Sequence, residues 1–458
     1  MSEKQAKMKK GRPAGLGVAH ADLSDYEGTG AVHMDLIKRR AAHFGGSLLF
    51  YHDPVQIVRG EGVWLYDENG RAYLDCYNNV CSVGHCNPRV VQAVTKQAGE
   101  LNTHTRYLHE TIIEYAEKLA GTFPGDLDMC LFVCTGTEAN ELAMLIARAV
   151  TGKRGAIVMD HSYHGNSTLI GEMSTSTYSR KKRPDHIAAV EPPNLYRGRY
   201  NAEEPGVGAK YAAFVDAGIQ KLEANGQGVA ALMCDGIFDS QGGLEAPKDY
   251  FEHVYAKVRA AGGLCIADEV QPGFGRTGRM WGFEQYGVLP DIVTLGKPMG
   301  NGHPVAGVVT TPEIMQQFAD KSFYFNTFGG NPVSAAAGKA VLEEIEEKNL
   351  VSHVAAVGAH LRAGLEELAT RHEIIGNVHG IGLYQALDLV KDRETREAAR
   401  EECQQIPDAL KEEGILLGLT GPHGNVLKIR PPLVFDKSNA DQLIGSLDKV
   451  LGSIRIGS

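Results

Sequence analysis

The same construction occurs twice in this chain, as GGLCIADEVQPGFGRTG at Gly262–Gly278 and as DIVTLGKPMGNGHPVAG at Asp291–Gly307. In both stretches a short apolar run ends at or just before one charged residue, and a glycine-rich turn follows. This pattern predicts a buried strand that delivers a side chain to the end of a sheet, where open α/β folds bind their ligands. The side chains delivered in this way are those of Asp268 and Lys297.

The sequence around these two stretches predicts an α/β fold. From about residue 90 to 330, helical patterns alternate with short apolar runs, which is typical of a mainly parallel sheet with helices on both faces. The runs are RGAIVMDH, VAALMCDG, GLCIADEV, PDIVTLG and VAGVVTT. This middle part of the chain is therefore expected to form one large domain.

Both ends of the chain are expected to build a smaller α+β lobe. Near the N-terminus the pattern predicts a helix at Met34–His43 and a hairpin around Asp67–Gly70. A long helix is expected after Pro332, and it should end near Asn349. Strand-like GIGLYQALDLV, helical TREAAREECQQIPDALKEEG and NVLKIRPPLVF follow. The predicted division is a flexible arm (1–30), the first part of the small domain (31–75), the large domain (76–330) and the rest of the small domain (331–458).

Composition narrows the classes of partner. The 458 residues are 43% hydrophobic and 22% charged, and the formal net charge of −10 argues against nucleic acid or an anionic membrane, which need a basic face. No apolar stretch approaches the roughly 20 residues that span a bilayer. The basic start of the chain lacks the apolar core of a secretory signal, so a cytoplasmic protein is expected. Cys76, Cys81 and Cys86 are evenly spaced, but the tight pairs typical of structural zinc are absent and no metal is predicted.

The charged residues at the two strand ends allow both a chemical and a structural interpretation. A lysine at position 297 can be held in an apolar pocket, where desolvation favours its neutral, nucleophilic form, or it can lie in a surface loop. Asp268 can pair with a ring nitrogen and keep it protonated, or it can be a helix cap or part of a structural ion pair. Neither residue distinguishes these alternatives alone.

Two upstream segments add candidate contacts for an anion and for a flat ring. In LFVCTGTEANELAMLIARAV, a strand leads through Thr135, Gly136 and Thr137 into an amphipathic helix, whose first amides form either an anion site or a simple cap. In MDHSYHGNS, Tyr163 and His164 follow another strand. The ring of Tyr163 is expected either to stack on a flat cofactor or to pack in the core.

Together these motifs, in this order, resemble the class III aminotransferases, which are pyridoxal-phosphate enzymes of fold type I. The resemblance runs from about residue 35 to the C-terminus and implies a large domain with a mainly parallel sheet of the seven-stranded type. It also implies that Lys297 forms a Schiff base with pyridoxal phosphate and that Asp268 pairs with the ring nitrogen. The other cofactor contacts implied are Thr135, Gly136, Thr137, Tyr163, His164, Val270, Gln271 and Thr327.

The resemblance further implies a homodimer, because Thr327 matches a threonine that reaches the phosphate of the neighbouring subunit. Pairing of dimers into tetramers is left open. Many class III enzymes carry an arginine three residues before the Pro-Pro pair, but this chain has Lys428 there and Arg430 next to Pro431. The mobile arginine of amine transaminases is also missing from ILLGLTGPHG. Neither arginine that clamps a substrate carboxylate can therefore be transferred to this chain.

Several strings are closest to a sub-branch that includes the ethanolamine-phosphate phospho-lyases, namely YNNVCSVGHCNP, LNTHTRYLHE, LGKPMGNGHP, FNTFGGNP and NVLKIRPP. The main hypothesis is a transaminase that moves an amino group from an amine or a non-standard amino acid to a keto acid or aldehyde. The alternative is a lyase that eliminates ammonia and phosphate from a substrate such as O-phosphoethanolamine. Arg106, Lys428 and Arg430 are candidate ligands for the substrate anion, and surface or interface ion pairs are the alternative role for each.

Overall fold

The computed structural model describes residues 33–44, 49–177 and 183–455. The predicted arm at residues 1–30 lies outside these ranges. Within them, none of the helices is long and apolar enough to cross a membrane.

The N-terminal part begins with helix α1 (Met34–His43), as the sequence predicts. Three strands follow: β1 (Ile57–Glu61), β2 (Trp64–Asp67) and β3 (Ala72–Asp75). Strands β2 and β3 pair antiparallel around the predicted turn, whose Gly70 has a φ of 83°. The hairpin prediction is therefore confirmed.

The large domain contains a seven-stranded sheet. Its strands, in chain order, are β4 (Met129–Val133), β5 (Gly155–Met159), β6 (Ile187–Val190), β7 (Val229–Cys234), β8 (Leu264–Asp268), β9 (Ile292–Leu295) and β10 (Ala306–Thr310). Their order across the sheet is β4-β10-β9-β8-β7-β5-β6. Only β10 runs antiparallel to its neighbours, so the sheet is mainly parallel and the α/β prediction is confirmed.

Helices cover this sheet on both sides because its strands send alternate side chains to opposite faces. Ala156 and Val158 of β5 pack in one apolar cluster, and Ile157 and Met159 pack in another. The helices of this part of the chain are α2 (Pro88–Glu100), α3 (Glu110–Ala120), α4 (Gly136–Thr151), α5 (Thr168–Met173), α6 (Val207–Ala224), α7 (Tyr250–Ala260) and α8 (Pro312–Ala319).

The C-terminal part contains the segments that were predicted to complete the small lobe. Its helices are α9 (Pro332–Glu347), α10 (Leu350–Arg371), α11 (Arg400–Cys403), α12 (Ile406–Glu412) and α13 (Lys437–Ser453). Its strands are β11 (Ile375–Ile381), β12 (Tyr384–Asp392), β13 (Glu397–Ala398), β14 (Ile415–Leu416), β15 (Gly418–Thr420) and β16 (Val426–Ile429). Strand β14 pairs parallel with β3, so the two ends of the chain share a sheet. The numerical domain boundaries stay predictions.

The C-terminal helices differ in detail from the sequence pattern. Helix α9 ends at Glu347, close to the predicted end near Asn349, and α10 begins directly afterwards. The segment that was expected to be helical from Thr395 is interrupted, because Glu397 and Ala398 pair with β12 and only short helices follow. Pro407 at the start of α12 lacks a backbone N–H, which is consistent with this break.

Candidate active site

A phosphate-sized anion can be bound where β4 turns into α4. The hydroxyl of Thr135 accepts the amide N–H of Glu138, and the carboxylate of Glu138 accepts the amide N–H of Thr135, which completes a capping box. The first amides of a helix have no intrahelical acceptor, so those of Gly136 and Thr137 remain available for an anion. A Cβ added to Gly136 would lie 3.1 Å from the side chain of Val270. Glycine therefore allows the strand ends to approach each other closely.

Lys297 follows β9 and begins a 3₁₀ turn that ends at Gly300. Its side chain is only partly accessible, and burial lowers the pKa of its amino group. The nearby positive charge of Arg430 lowers this pKa further, whereas Asp239 and Asp268 act in the opposite direction. The structure therefore favours the buried, nucleophilic alternative over a lysine in a surface loop.

Asp268 is the last residue of β8, and its carboxylate is buried and held by three contacts. Its Oδ2 atom lies 2.7 Å from His164 Nδ1 and accepts a hydrogen bond from Asn140 Nδ2 at 3.0 Å. Its Oδ1 atom accepts the amide N–H of Val270 at 3.1 Å. These contacts fix the carboxylate at the strand end, beside the turn that carries Lys297.

Tyr163 lies in the loop after β5 and is 37% exposed. This exposure excludes the core-packing alternative and leaves the ring free to stack on a ligand. Val270, by contrast, is buried and packs against Gly136 and Gly296. These two predicted cofactor contacts therefore supply an accessible aromatic ring and a fixed apolar side chain.

A buried group of charges adjoins Lys297. We call Asp239, Lys428 and Arg430 the cationic cluster, since it contains two cations and one carboxylate. Asp239 Oδ1 lies 3.5 Å from Lys428 Nζ and 3.9 Å from Arg430 Nη1. Arg430 also donates to Gln271 Oε1 at 2.9 Å, which links the cluster to a predicted cofactor contact.

The two cations determine the protonation of Asp239. Burial alone would raise the pKa of this carboxyl, but Lys428 and Arg430, with smaller contributions from Tyr384 and Lys297, together outweigh burial and lower it to about 2. The hydroxyl of Tyr384 donates to Asp239 Oδ1 at 2.6 Å. The positive charge of the cluster therefore exceeds its negative charge by one at neutral pH.

We expect Asp239→Asn to lower the free energy of unfolding at pH 7 by about 3 kcal/mol, because two buried cations lose their counter-ion. The pKa of Asp239 is lower in the folded protein than the ordinary 3.8, so its stabilising contribution is complete above 3.8 and is lost as the pH falls towards about 2. Urea unfolding of the wild type and of Asp239→Asn, from pH 7 down towards about 2, measures the difference in unfolding free energy. This difference should shrink as the pH falls.

Asp216→Asn is the matched control, since its ion pair with Lys257 is partly exposed. Its effect should stay below about 1 kcal/mol. Equal losses in the two variants, or a loss for Asp239→Asn that is independent of pH, would contradict this account.

Thr327 and Arg106 lie elsewhere on the protein. The guanidinium of Arg106 lies 3.9 Å from the ring centroid of Phe325, and Thr327 is exposed. The segment around Gly329 and Gly330 packs against Phe132 of β4, the edge strand of the large sheet. Among the contacts of the described residues, none joins Arg106 or Thr327 to Lys297 or Asp268.

Sequence reasoning missed three polar residues of the site. Asn140 lies one turn into α4, and a buried amide on the apolar face of this helix was a usable signal. Asp239 follows β7, and a carboxylate shortly after a strand end was a similar signal. Asn79 donates to Gln271 from a loop that gives no comparable local pattern.

Comparison with known proteins identifies the family of this chain. Residues 51–451 match the family model described as aminotransferase class-III. The chain belongs to the class III aminotransferases. Relatives of this aminotransferase include the alanine–glyoxylate aminotransferase 2-like protein of Drosophila melanogaster, which is 41% identical over 93% of this chain and 88% of its own length. The ethanolamine-phosphate phospho-lyase homolog 1 of Caenorhabditis elegans is 40% identical, with 91% of this chain and 93% of that protein covered.

Among solved structures, a phospholyase from Arthrobacter in complex with phosphoethanolamine is similar to this class III enzyme with a TM-score of 0.89. The two share 44% sequence identity, and the comparison covers 92% of this chain and 100% of the other. The fold is therefore fold type I, and the cofactor of the enzyme is pyridoxal phosphate.

The residues present in this class III enzyme fit that cofactor. The amides of Gly136 and Thr137 would hold its phosphate, Asp268 would bind the ring nitrogen, and Lys297 would form the covalent bond. The buried atoms His164 Nε2 and Asn140 Oδ1, beside Asp268, have no hydrogen-bond partner in the described protein. Polar groups left open beside a fixed carboxylate are consistent with a site built for a polar ligand.

The chain's own residues then have defined tasks in this enzyme. When bound, pyridoxal phosphate supplies an electron sink for the carbon next to an amine nitrogen. Lys297, whose neutral form is favoured by burial, can attack a carbonyl carbon and, once released, accept the proton of that carbon. Asp268 would keep the ring nitrogen protonated, while His164 and Asn140 hold the carboxylate in place.

Proposed function

We propose that this class III enzyme eliminates ammonia and phosphate from an O-phosphorylated amino alcohol such as O-phosphoethanolamine, leaving an aldehyde. The observation that supports this proposal is the excess positive charge of the cationic cluster next to Lys297. Lys297 would take a proton from the carbon that bears nitrogen. The carbon–oxygen bond on the neighbouring carbon would then break, with its electron pair leaving on phosphate. Water would hydrolyse the remaining enamine, through its imine, to ammonia and the aldehyde.

The hydrogen bonds of the cluster also favour an anionic substrate. Lys428 occupies the position of the missing arginine, but it is buried and paired with Asp239. Arg430 is buried as well, and its Nε atom has no hydrogen-bond partner among the described residues. A phosphate monoester with a charge of about −1.5 to −2 at neutral pH would be attracted by this free donor and by the unbalanced positive charge.

Transfer of an amino group to a keto acid or aldehyde is the second candidate. It is supported by family membership and by the Drosophila melanogaster relative, whose name is that of an alanine–glyoxylate aminotransferase 2-like protein. Both reactions would begin with proton removal by Lys297. They differ in whether the neighbouring carbon carries a group that can leave.

The two candidates are separated by incubating holoenzyme with O-phosphoethanolamine in the absence of any keto acid. Many molecules of phosphate released per active site would support elimination. No phosphate release, together with conversion of alanine and glyoxylate to pyruvate and glycine, would replace the proposal with transamination. The Lys297→Ala variant controls for contaminating phosphatase, because phosphate release that survives this change does not come from the site.

We also propose that the enzyme is a homodimer in which Thr327 and Arg106 face the active site of the partner subunit. Two observations support this proposal. Within one chain, no contact of the described residues joins Thr327 or Arg106 to Lys297, and exposed apolar side chains surround both residues. These side chains are Tyr107, Leu108, Phe323 and Phe328. A surface of this kind is typical of a protein–protein interface.

Light scattering of the purified enzyme should give twice the chain mass of 49.5 kDa. Phe328→Glu should shift the mass towards that of the monomer, whereas Leu289→Glu, at an exposed apolar position elsewhere, should not. A monomeric wild-type protein that is fully active would overturn the dimer proposal, and a mass of four chains would extend it to a tetramer.

A further inference from the structure

Tyr77 covers the cationic cluster from the side of the small lobe. Its ring centroid lies 4.5 Å from the guanidinium carbon of Arg430 and 5.7 Å from Lys428 Nζ. The ring of Phe50 packs edge-on against it at a centroid distance of 5.0 Å. A Cβ added to Gly418 would come within 2.2 Å of the Tyr77 ring, so the ring lies directly on the backbone of β15. Tyr77 is therefore held in one place while part of it stays accessible.

The cations polarise the phenol of Tyr77. Burial alone would raise its pKa, but Lys428 and Arg430 outweigh burial and lower it. The guanidinium of Arg430 carries no acceptor, so the O–H proton of the phenol stays available for an acceptor on a ligand. A phenol with a lowered pKa is a stronger hydrogen-bond donor than an ordinary tyrosine.

The other donors of the cluster are largely occupied. Arg430 Nη1 binds Gln271, and Lys428 Nζ is directed at Asp239. Arg430 Nε has no hydrogen-bond partner among the described residues, and the ring of Tyr77 lies against the same guanidinium. A hydroxyl donor beside a guanidinium suits an anion with several oxygen atoms.

We propose that Tyr77 is a specificity-determining residue, which donates its phenolic hydrogen bond to the phosphate of the substrate beside Arg430. This inference rests on the proposed function, since it assigns the group that recognises the phosphate. It does not require Tyr77 to take part in bond breaking. A substrate amine without an anionic group would gain nothing from this contact.

The first test uses inorganic phosphate as the probe and holoenzyme as the protein, so that the cofactor fills its own phosphate site. Calorimetric titration should show that Tyr77→Phe weakens phosphate binding about tenfold, as expected for one hydrogen bond to a charged group. Tyr77→Phe keeps the ring on the two cations and removes only the hydroxyl. Tyr66→Phe is the matched control, because the guanidinium carbon of Arg59 lies 3.5 Å from the ring centroid of Tyr66. This control variant should bind phosphate like the wild type.

The second test compares two amines. With O-phosphoethanolamine, Tyr77→Phe should raise KM about tenfold and leave kcat within about twofold. With propylamine, which has no anionic group, the rate of the first amino transfer to the cofactor should be unchanged. Equal losses with both amines would mean that Tyr77 only positions Arg430, and this would overturn the assignment.

The two tests also distinguish this inference from the proposed function. If wild-type enzyme releases no phosphate from O-phosphoethanolamine, but Tyr77→Phe still weakens binding of inorganic phosphate, the elimination reaction fails and the anion contact stands. If wild-type enzyme releases phosphate while Tyr77→Phe binds and turns over the substrate like the wild type, the Tyr77 assignment fails and the reaction stands.

Discussion

Replacing Lys297 with alanine should lower kcat by about 10⁴-fold, the upper end of the loss expected when a group that transfers a proton is removed. Lys297 would have two tasks in the proposed reaction, attack on a carbonyl carbon and acceptance of a proton, and no other amine shares its position after β9. The burial that lowers its pKa serves both tasks, because only the neutral amine can attack or accept a proton. Turnover with O-phosphoethanolamine and with alanine plus glyoxylate measures the loss.

A second readout does not depend on activity. Borohydride reduction of the holoenzyme, followed by mass spectrometry of its peptides, should find pyridoxal phosphate attached to Lys297 and no label in the variant. Lys221→Ala is the control, since Lys221 bonds the carbonyl of Ile187 on the surface of the same domain and should keep both label and activity. Label on another lysine in the wild type, or full activity in Lys297→Ala, would contradict the assignment.

Lys297 and Asp268 could be predicted because their placement is a local property of the chain. An apolar run that ends beside a charged residue and a glycine-rich turn specifies a strand end within a few residues of sequence. Parallel strands then bring their carboxyl ends to the same edge of the sheet. The predicted phosphate site at the amides of Gly136 and Thr137 is equally local, since Thr135 and Glu138 cap the helix that contains these amides.

The cationic cluster could not be predicted in the same way, because its contacts join distant parts of the sequence. Lys428 and Asp239 are separated by 189 positions, and Arg430 and Gln271 by 159. Sequence reasoning identified Lys428 and Arg430 as possible anion ligands, but it could not show that Asp239 neutralises one of the two charges. Tyr77 begins one of the strings that resemble the phospho-lyases, but its contact with both cations arises only when β16 and the residue after it bring them under its ring.

Arg106 illustrates a different limit. The sequence made it a candidate ligand for the substrate anion, and within one chain it lies over Phe325 without a contact to Lys297 among the described residues. Its proposed role therefore depends on a second subunit, which a pattern in a single chain does not describe. The same holds for Thr327, whose exposure is explained by the proposed dimer and by nothing within its own chain.

Replacing Asp268 with asparagine should lower kcat by about 10²–10³-fold, a loss comparable to that of one preorganised electrostatic group in an active site. The amide has the size of the carboxylate, so β8 and its neighbours should be undisturbed. It is neutral, however, and cannot keep a ring nitrogen protonated in the way that a carboxylate can. Steady-state kinetics with saturating substrate measures the loss, and thermal unfolding should show that the fold is retained.

Asp235→Asn provides a strict control, because Asp235 is also an acid with little exposure just after a strand of the same sheet. Burial raises its pKa to about 7, and it accepts the amide N–H of Asp239, a bond that asparagine can replace. This variant should keep kcat within a few-fold of the wild type, although it also exchanges a carboxyl at a strand end for an amide. If both variants lost activity equally, the loss would reflect general disturbance of the strand ends. If Asp268→Asn retained full kcat, the negative charge at the end of β8 would not be needed for the reaction.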